Sequence, residues 1–173
     1  MKSRYLQSGA AGLALLAAAT AYTGSWEGTK YRPYYDVGHV LTVCRGHTGP
    51  DIIKDKLYTP AECDEITRKD IVAHEMRLLA CAPELGDEKR VPGPAYVAIN
   101  DWAFNVGTGA ACKSTLIAKV KAGDLRGACL QLSKWVYVKG EVVRGLFNRR
   151  VKGDAGRESE QAMCLRGLKE AGR

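Results

Sequence analysis

Glu27-Gly28-Thr29-Lys30-Tyr31-Arg32-Pro33-Tyr34-Tyr35-Asp36-Val37-Gly38-His39-Val40-Leu41-Thr42 places two carboxylates with eight residues between them, and a threonine with five residues between it and the second. Tyrosine, valine and threonine recur here, and turn signals stand at Arg32-Pro33, Val37-Gly38 and, just beyond, Thr48-Gly49-Pro50. Aromatic and β-branched residues interrupted by Pro and Gly favour short strands over a helix. Val40 to Val43 reads as one such strand, and residues 27 to about 58 as a small, irregular antiparallel sheet.

Beyond this stretch the period changes. Thr59-Pro60-Ala61-Glu62 is a capping box with proline at the first helical position, and it predicts a helix to about Cys81, stopped by Pro83. Ala95, Ala98, Ile99, Trp102, Ala103 and Val106 recur at i, i+3, i+4 spacing and mark the most buried helix, ended by Gly107. Trp102 then reads as core rather than as a sugar platform. Ser114 and Asp124 suit the N-caps of two shorter helices, Lys152 to Gly156 a turn, and Glu158 to about Lys169 a last helix. Strands first and helices afterwards define an α+β fold, a small antiparallel sheet lobe followed by a mainly helical lobe.

On the other side of the opening stretch, no charge occurs between Arg4 and Glu27, and the residues are mostly Ala, Gly, Ser and Thr with leucines at 6, 13, 15 and 16. The length suits a helix across a hydrocarbon core of about 30 Å, with Lys2 and Arg4 held inside and the rest exported. Hydrophobicity is weak for that task. Four readings stay open: a signal peptide cleaved at Ala19-Thr20-Ala21, a permanent anchor, a marginal anchor that later slips from the bilayer, and a cytosolic helix. We divide the chain into a leader, 1–25, and a catalytic domain, 26–173.

The 173 residues suffice for one domain with a real core. A net charge of +7 favours an anionic partner. Lys119-Val120-Lys121 and Arg149-Arg150-Val151-Lys152 are the basic clusters, too small to point to nucleic acid. Cysteines 44, 63, 81, 112, 129 and 164 form no Cys-x-x-Cys knuckle, so no structural zinc is expected. An even count behind an export-like leader fits three disulfides, although six reduced, buried thiols remain the alternative.

Glycosidic cleavage needs one carboxyl that protonates the leaving oxygen and a second group that handles water or developing positive charge. Glu27, beside Trp26, lies in a partly apolar setting that suits a general acid, and Asp36 and Thr42 would activate and hold the water. Taken alone the spacing is weak, and it fits equally a helix start at Glu27 and a turn cap at Asp36. The neighbours add more. Glu27-Gly28, Tyr34-x-Asp36-x-x-Gly38, Thr42-Val43, Gly46-His47-Thr48, Asn105-Val106-Gly107 and Gly145-Leu146-x-x-Arg149-Arg150 follow one another in a way that resembles the phage-type lysozymes of glycoside hydrolase family 24. The resemblance runs from residue 26 to the end, and the leader looks like that of the signal-arrest-release endolysins.

The resemblance implies a lysozyme-like fold and a muramidase with Glu27 as acid, Asp36 as partner carboxylate and Thr42 as water-positioning residue. It implies cleavage of the β-1,4 bond between N-acetylmuramic acid and N-acetylglucosamine, without metal or organic cofactor. His47 is a candidate for catalysis or for a structural ion pair, and for the latter the resemblance implies Asp70 as its partner across the two lobes, a pair of fold residues. Asn105 is a candidate for a sugar N-acetyl group or a simple helix end. Arg149 and Arg150 would meet glycan or peptide carboxylates, or form a solvated basic face; His39 and His74 are expected at the surface. The expected disulfides are 44–63, 81–112 and 129–164. Cys44 and Arg45 depart from the family's pattern before Gly46-His47, and Lys152 to Gly156 looks like an insertion. The leader has no cysteine, so no leader thiol can attack a disulfide. The partners expected are peptidoglycan and, through residues 5–25, the inner membrane of a host bacterium; a monomer would face the periplasm and then be released into it. A lytic transglycosylase, a wall-binding protein without turnover and a membrane-disrupting protein are the competing readings.

Overall fold

A computed structural model describes residues 3–7, 9–36 and 38–173. Two readings fall partly outside them: the inward-facing charge at Lys2, and the Val37 half of the Val37-Gly38 turn. Helix α1 (Arg4–Gln7) leads into α2 (Ala10–Trp26), whose alanines and leucines have high helix propensity. At its end the Glu27 amide donates to the Thr23 carbonyl at 3.1 Å. Next come β1 (Lys30–Tyr35), β2 (Leu41–Cys44) and β3 (His47–Thr48), an antiparallel sheet in that order. Lys30 pairs with Cys44 but Tyr34 with Thr42, so four steps on β1 answer two on β2. That irregularity bends the strand lying between the two carboxylates.

The helical lobe follows as α3 (Pro60–Cys81), α4 (Gly93–Val106), α5 (Thr108–Cys112), α6 (Thr115–Lys121) and α7 (Leu125–Gln131). A hairpin of β4 (Tyr137–Val138) and β5 (Glu141–Val142) leads to α8 (Arg144–Phe147), a π turn over Asn148–Lys152, and α9 (Glu160–Glu170). The expected capping box is made: the Thr59 side chain accepts from the Glu62 amide while the Glu62 carboxylate accepts from the Thr59 amide. Ser114 and Asp124 cap α6 and α7 through the Ile117 and Gly127 amides.

Helix α4 forms the centre, every residue from Ala95 to Ala103 being buried, with Trp102 edge-on to Trp135. It packs most closely on α9, where a Cβ on Gly167 would come within 2.9 Å of the Ala95 amide nitrogen; only glycine lets the two backbones meet. A second, smaller core of Val43, Cys44, Ile52, Tyr58 and Cys63 lies beneath the sheet.

Three disulfides staple these parts with the pairing expected: Cys44 to Cys63, Cys81 to Cys112, and Cys129 to Cys164. The second closes a loop of 31 residues between α3 and α5. Removing such a link restores chain entropy to the unfolded state, so Cys81→Ala with Cys112→Ala is expected to lose about 3–4 kcal/mol in denaturant unfolding.

The leader is part of this fold. Tyr5, Leu16 and Ala19 belong to the main core, and α2 runs through Trp26, across the 25/26 boundary. Among the described residues no helix is long and apolar enough to cross a membrane. At the start of the chain, buried Glu75 on α3 accepts from the Arg4 amide at 2.8 Å, the Tyr5 amide at 3.2 Å, and the hydroxyls of Ser3 and Tyr96. The Arg4 guanidinium donates to the Val91 carbonyl at 2.7 Å and lies 4.4 Å from the Tyr96 ring centre. A Cβ on Gly12 would stand 2.6 Å from the Tyr5 carbonyl oxygen, so glycine permits α1 to fold back on α2.

Candidate active site

Glu27 does not start a helix; it closes one, with β1 beginning three residues later. Its Oε1 accepts from Arg149 Nη1 at 2.5 Å. Arg149 is itself fixed by Asp101, through Nε to Oδ2 at 3.1 Å and Nη2 to Oδ1 at 3.0 Å, and by Glu160 at 3.2 Å from Nε. Arg150 donates to the same Glu160 oxygen and, at 2.6 Å, to Asn105 Oδ1. Two consecutive arginines both face inward because the chain there makes a π turn, whose wider coil admits an extra residue.

Expectation and structure part at Arg149 and Arg150. Neither belongs to a solvated basic face: they are 5% and 0% exposed, and Arg149 is committed to three carboxylates of the protein rather than presented to a glycan. Burial works against the charge of Arg149, yet Asp101, then Glu160 and Glu27, hold its guanidinium above the ordinary value. Burial likewise pushes the Glu160 carboxyl up, against the pull of Arg150. Asn105 is exposed at the end of α4, its side-chain oxygen taken by Arg150.

At the far end of β1, Asp36 sits in the hairpin loop. Its Oδ1 accepts from the Gly38 amide at 2.8 Å and the Val40 amide at 2.9 Å, as a turn cap would, and this also fixes the carboxylate. Thr42 is buried on β2 and donates its hydroxyl proton to the Val40 carbonyl at 2.9 Å. That leaves the Thr42 oxygen lone pairs to accept from water. The carbonyl of Val40 also accepts the Asp36 amide at 3.0 Å, so Asp36 and Thr42 hang on one peptide unit.

His47 Nδ1 lies 3.0 Å from both Asp70 carboxylate oxygens, joining β3 to α3, and Nε2 lies 3.2 Å from Asp51 Oδ1. Arg45 explains the departure beside it: Nη1 donates to Asp64 at 2.7 Å and to Thr67 at 3.3 Å, and Nε to Thr29 at 3.2 Å, a second tie between sheet and helix. His39 is exposed as expected. His74 is not at the surface; it is half-buried against Phe104 with ring centres 4.7 Å apart, and burial, aided by Arg77, lowers its pKa. The residues that sequence reasoning missed are Asp101 and Glu160, the two buried acids that hold the arginines.

A small three-stranded sheet followed by a helical lobe is a fold shared with known lysozymes. The phage lysozyme family model matches residues 24–153. The chain is 40% identical over 141 residues to the SAR-endolysin of bacteriophage PS119, covering 82% of this chain and 77% of that one. The SAR-endolysin of Enterobacteria phage PA-2 is also 40% identical over 141 residues, with 82% and 78% covered. Among solved structures, the active form of P1 phage endolysin Lyz superposes with a TM-score of 0.67 at 23% identity, over 87% of this chain and 84% of that one. The chain belongs to the phage lysozyme family. It is an endolysin, a glycoside hydrolase of muramidase type acting on bacterial peptidoglycan.

Proposed function

We propose that this endolysin hydrolyses the β-1,4 bond between N-acetylmuramic acid and N-acetylglucosamine with Glu27 as general acid, Asp36 as general base and Thr42 as the hydroxyl that positions water. Glu27 gives its proton to the leaving glycosidic oxygen as the sugar gains oxocarbenium character. Water, polarised by Asp36 and oriented by Thr42, adds to the anomeric carbon from the other face and inverts it. The observation that carries this reading is the fixing of both carboxyls before substrate arrives, Glu27 by Arg149 and Asp36 by two backbone amides. His47 and Asp70 serve by holding the lobes together.

Residues 5–25 hold the monomeric enzyme at the inner membrane until they leave the bilayer for the periplasm and pack as α1 and α2. The absence of charge between Arg4 and Glu27, and the outward faces of Leu6 and Leu13, each 61% exposed, support this. Digestion of purified peptidoglycan in ¹⁸O-water tests the chemistry. Muramic reducing ends heavier by one label are expected in the mass spectrum. Anhydro-muramic ends without label would move the enzyme to the transglycosylases; no fragments from folded protein would leave only a binding role.

A further inference from the structure

Asp101 reaches Glu27 by two routes, through Arg149 and through Thr23. Its carboxylate grips Arg149 in a two-pronged bond, and Oδ1 also accepts from the Thr23 hydroxyl at 2.7 Å. Thr23 lies one turn before Glu27 on α2, and its carbonyl accepts the Glu27 amide at 3.1 Å. The contacts close a ring: Glu27 carboxyl, Arg149, Asp101, Thr23 and back to the Glu27 backbone. Thr23 is 2% exposed on a helix otherwise rich in alanine and leucine, so a hydroxyl there is costly unless paired.

We infer that Asp101 is a positioning residue for Glu27, clamping Arg149 to the last turn of α2 through Thr23 so that the guanidinium holds the Glu27 carboxyl in one place. The inference rests on the reading of Glu27 as the acid. The cluster holds two guanidiniums, Arg149 and Arg150, and three carboxyls, Glu27, Asp101 and Glu160. Without Glu27 it is two against two. Of the carboxyls, Glu160 is the one pushed up, by burial first and then by Asp101 beside it, against the pull of Arg150. The cluster's outer member is Glu27, its side chain 29% exposed against 1% and 0% for Asp101 and Glu160, and it is the one that reaches substrate.

Other charged or titratable groups face the cluster from each neighbouring element. Tyr5 of α1 and Tyr22 of α2 keep their phenol protons, since burial pushes both up. His74 of α3 lines a small cavity with Thr23 and Asp101; burial pulls it below its ordinary value, so it is neutral at pH 7. Arg157 stacks on Trp26 at 4.4 Å and donates to the Ser25 carbonyl, outside the ring. None of these offsets the loss of a carboxylate at residue 101.

The test is a set of full-length variants assayed on soluble, uncross-linked glycan strands, with kcat, KM, the pH profile and Tm recorded for each. Asp101→Asn weakens the two-pronged hold on Arg149 and lets the Glu27 carboxyl leave its place. Its kcat is expected to fall about 10²-fold at little-changed KM. Thr23→Val breaks the tie to Asp101 without changing any charge, so kcat should fall by about tenfold, and Thr23→Ser should restore the rate. An Asp101→Asn enzyme with the parental kcat, or one whose loss of kcat only tracks a fall in Tm, overturns the proposal. If Asp101→Asn does not fold, Thr23→Val against Thr23→Ser decides: loss with rescue supports the clamp, and equal rates in all three overturn it. Glu27→Gln is run alongside; full activity there removes the acid assignment and this inference together, whereas a Glu27-dependent enzyme indifferent to Asp101 and Thr23 sinks this inference alone.

Discussion

Glu27→Gln is expected to fold as the parent does and to cut glycan roughly 10²–10⁴-fold more slowly, the usual worth of a placed general acid. The substitution keeps the shape, and the amide oxygen of glutamine can still accept from Arg149 Nη1, where the Glu27 oxygen stands at 2.5 Å. Arg149 keeps its two-pronged bond to Asp101 and its contact with Glu160, so the guanidinium is not stranded. Unfolding free energy should therefore stay within about 1 kcal/mol of the parent. Release of new reducing ends, read against a thermal melt of the same sample, measures both quantities. A folded variant keeping a tenth of the parental rate would remove Glu27 from the acid's role. A large fall in stability would instead show that the carboxylate of Glu27 holds Arg149, and not the reverse.

The parts of the fold that could be read from the chain are those whose signals are local. Thr59, Ser114 and Asp124 announce helix starts because a cap needs only its own first turn, and the structure has helices beginning at Pro60, Thr115 and Leu125. The stripe ending at Val106 stops at Gly107, which takes φ 84°, as glycine there allows. What remained hidden depends on distance in sequence. Arg149 meets Asp101 across 48 residues and Glu27 across 122, and a run of Arg-Arg-x-Lys reads as a solvated face unless a π turn aims both arginines inward. A partial signal existed. Asp101 sits directly before Trp102 on α4, within the run of buried residues from Ala95 to Ala103, and an acid in such a place needs a buried partner. Glu160, in the first turn of α9, resembled an ordinary acid at a helix N-terminus and gave no such hint. For the leader, weak hydrophobicity was legible, but its landing place was not. Seven polar or tyrosine side chains scattered through a bilayer-length helix carry no address for Glu75, 71 residues beyond Arg4.

Glu75→Leu is expected to cost about 3–5 kcal/mol and to free the first residues of the chain. Glu75 is 1% exposed and is the common acceptor for the Ser3 and Tyr96 hydroxyls and the Arg4 and Tyr5 amides. A leucine of similar volume leaves four buried donors without a partner, each worth about 1–3 kcal/mol when stranded, part of it recovered by local unfolding. That unfolding has a natural boundary. Among the described residues of the leader, Ser3, Arg4 and Tyr5 hang on Glu75, whereas the last turns of α2 are tied separately by Thr23 to Asp101 and by the Tyr22 hydroxyl to the Glu158 carbonyl at 2.9 Å. Hydrogen exchange should then show protection lost at the Arg4 and Tyr5 amides and kept at the Glu27 amide, and kcat should stay near parental while the protein is folded. Denaturant unfolding supplies the energy. A loss below about 1 kcal/mol, or exchange that opens residue 27 together with residue 4, would mean that the leader docks as one rigid piece and that Glu75 is not what holds its beginning.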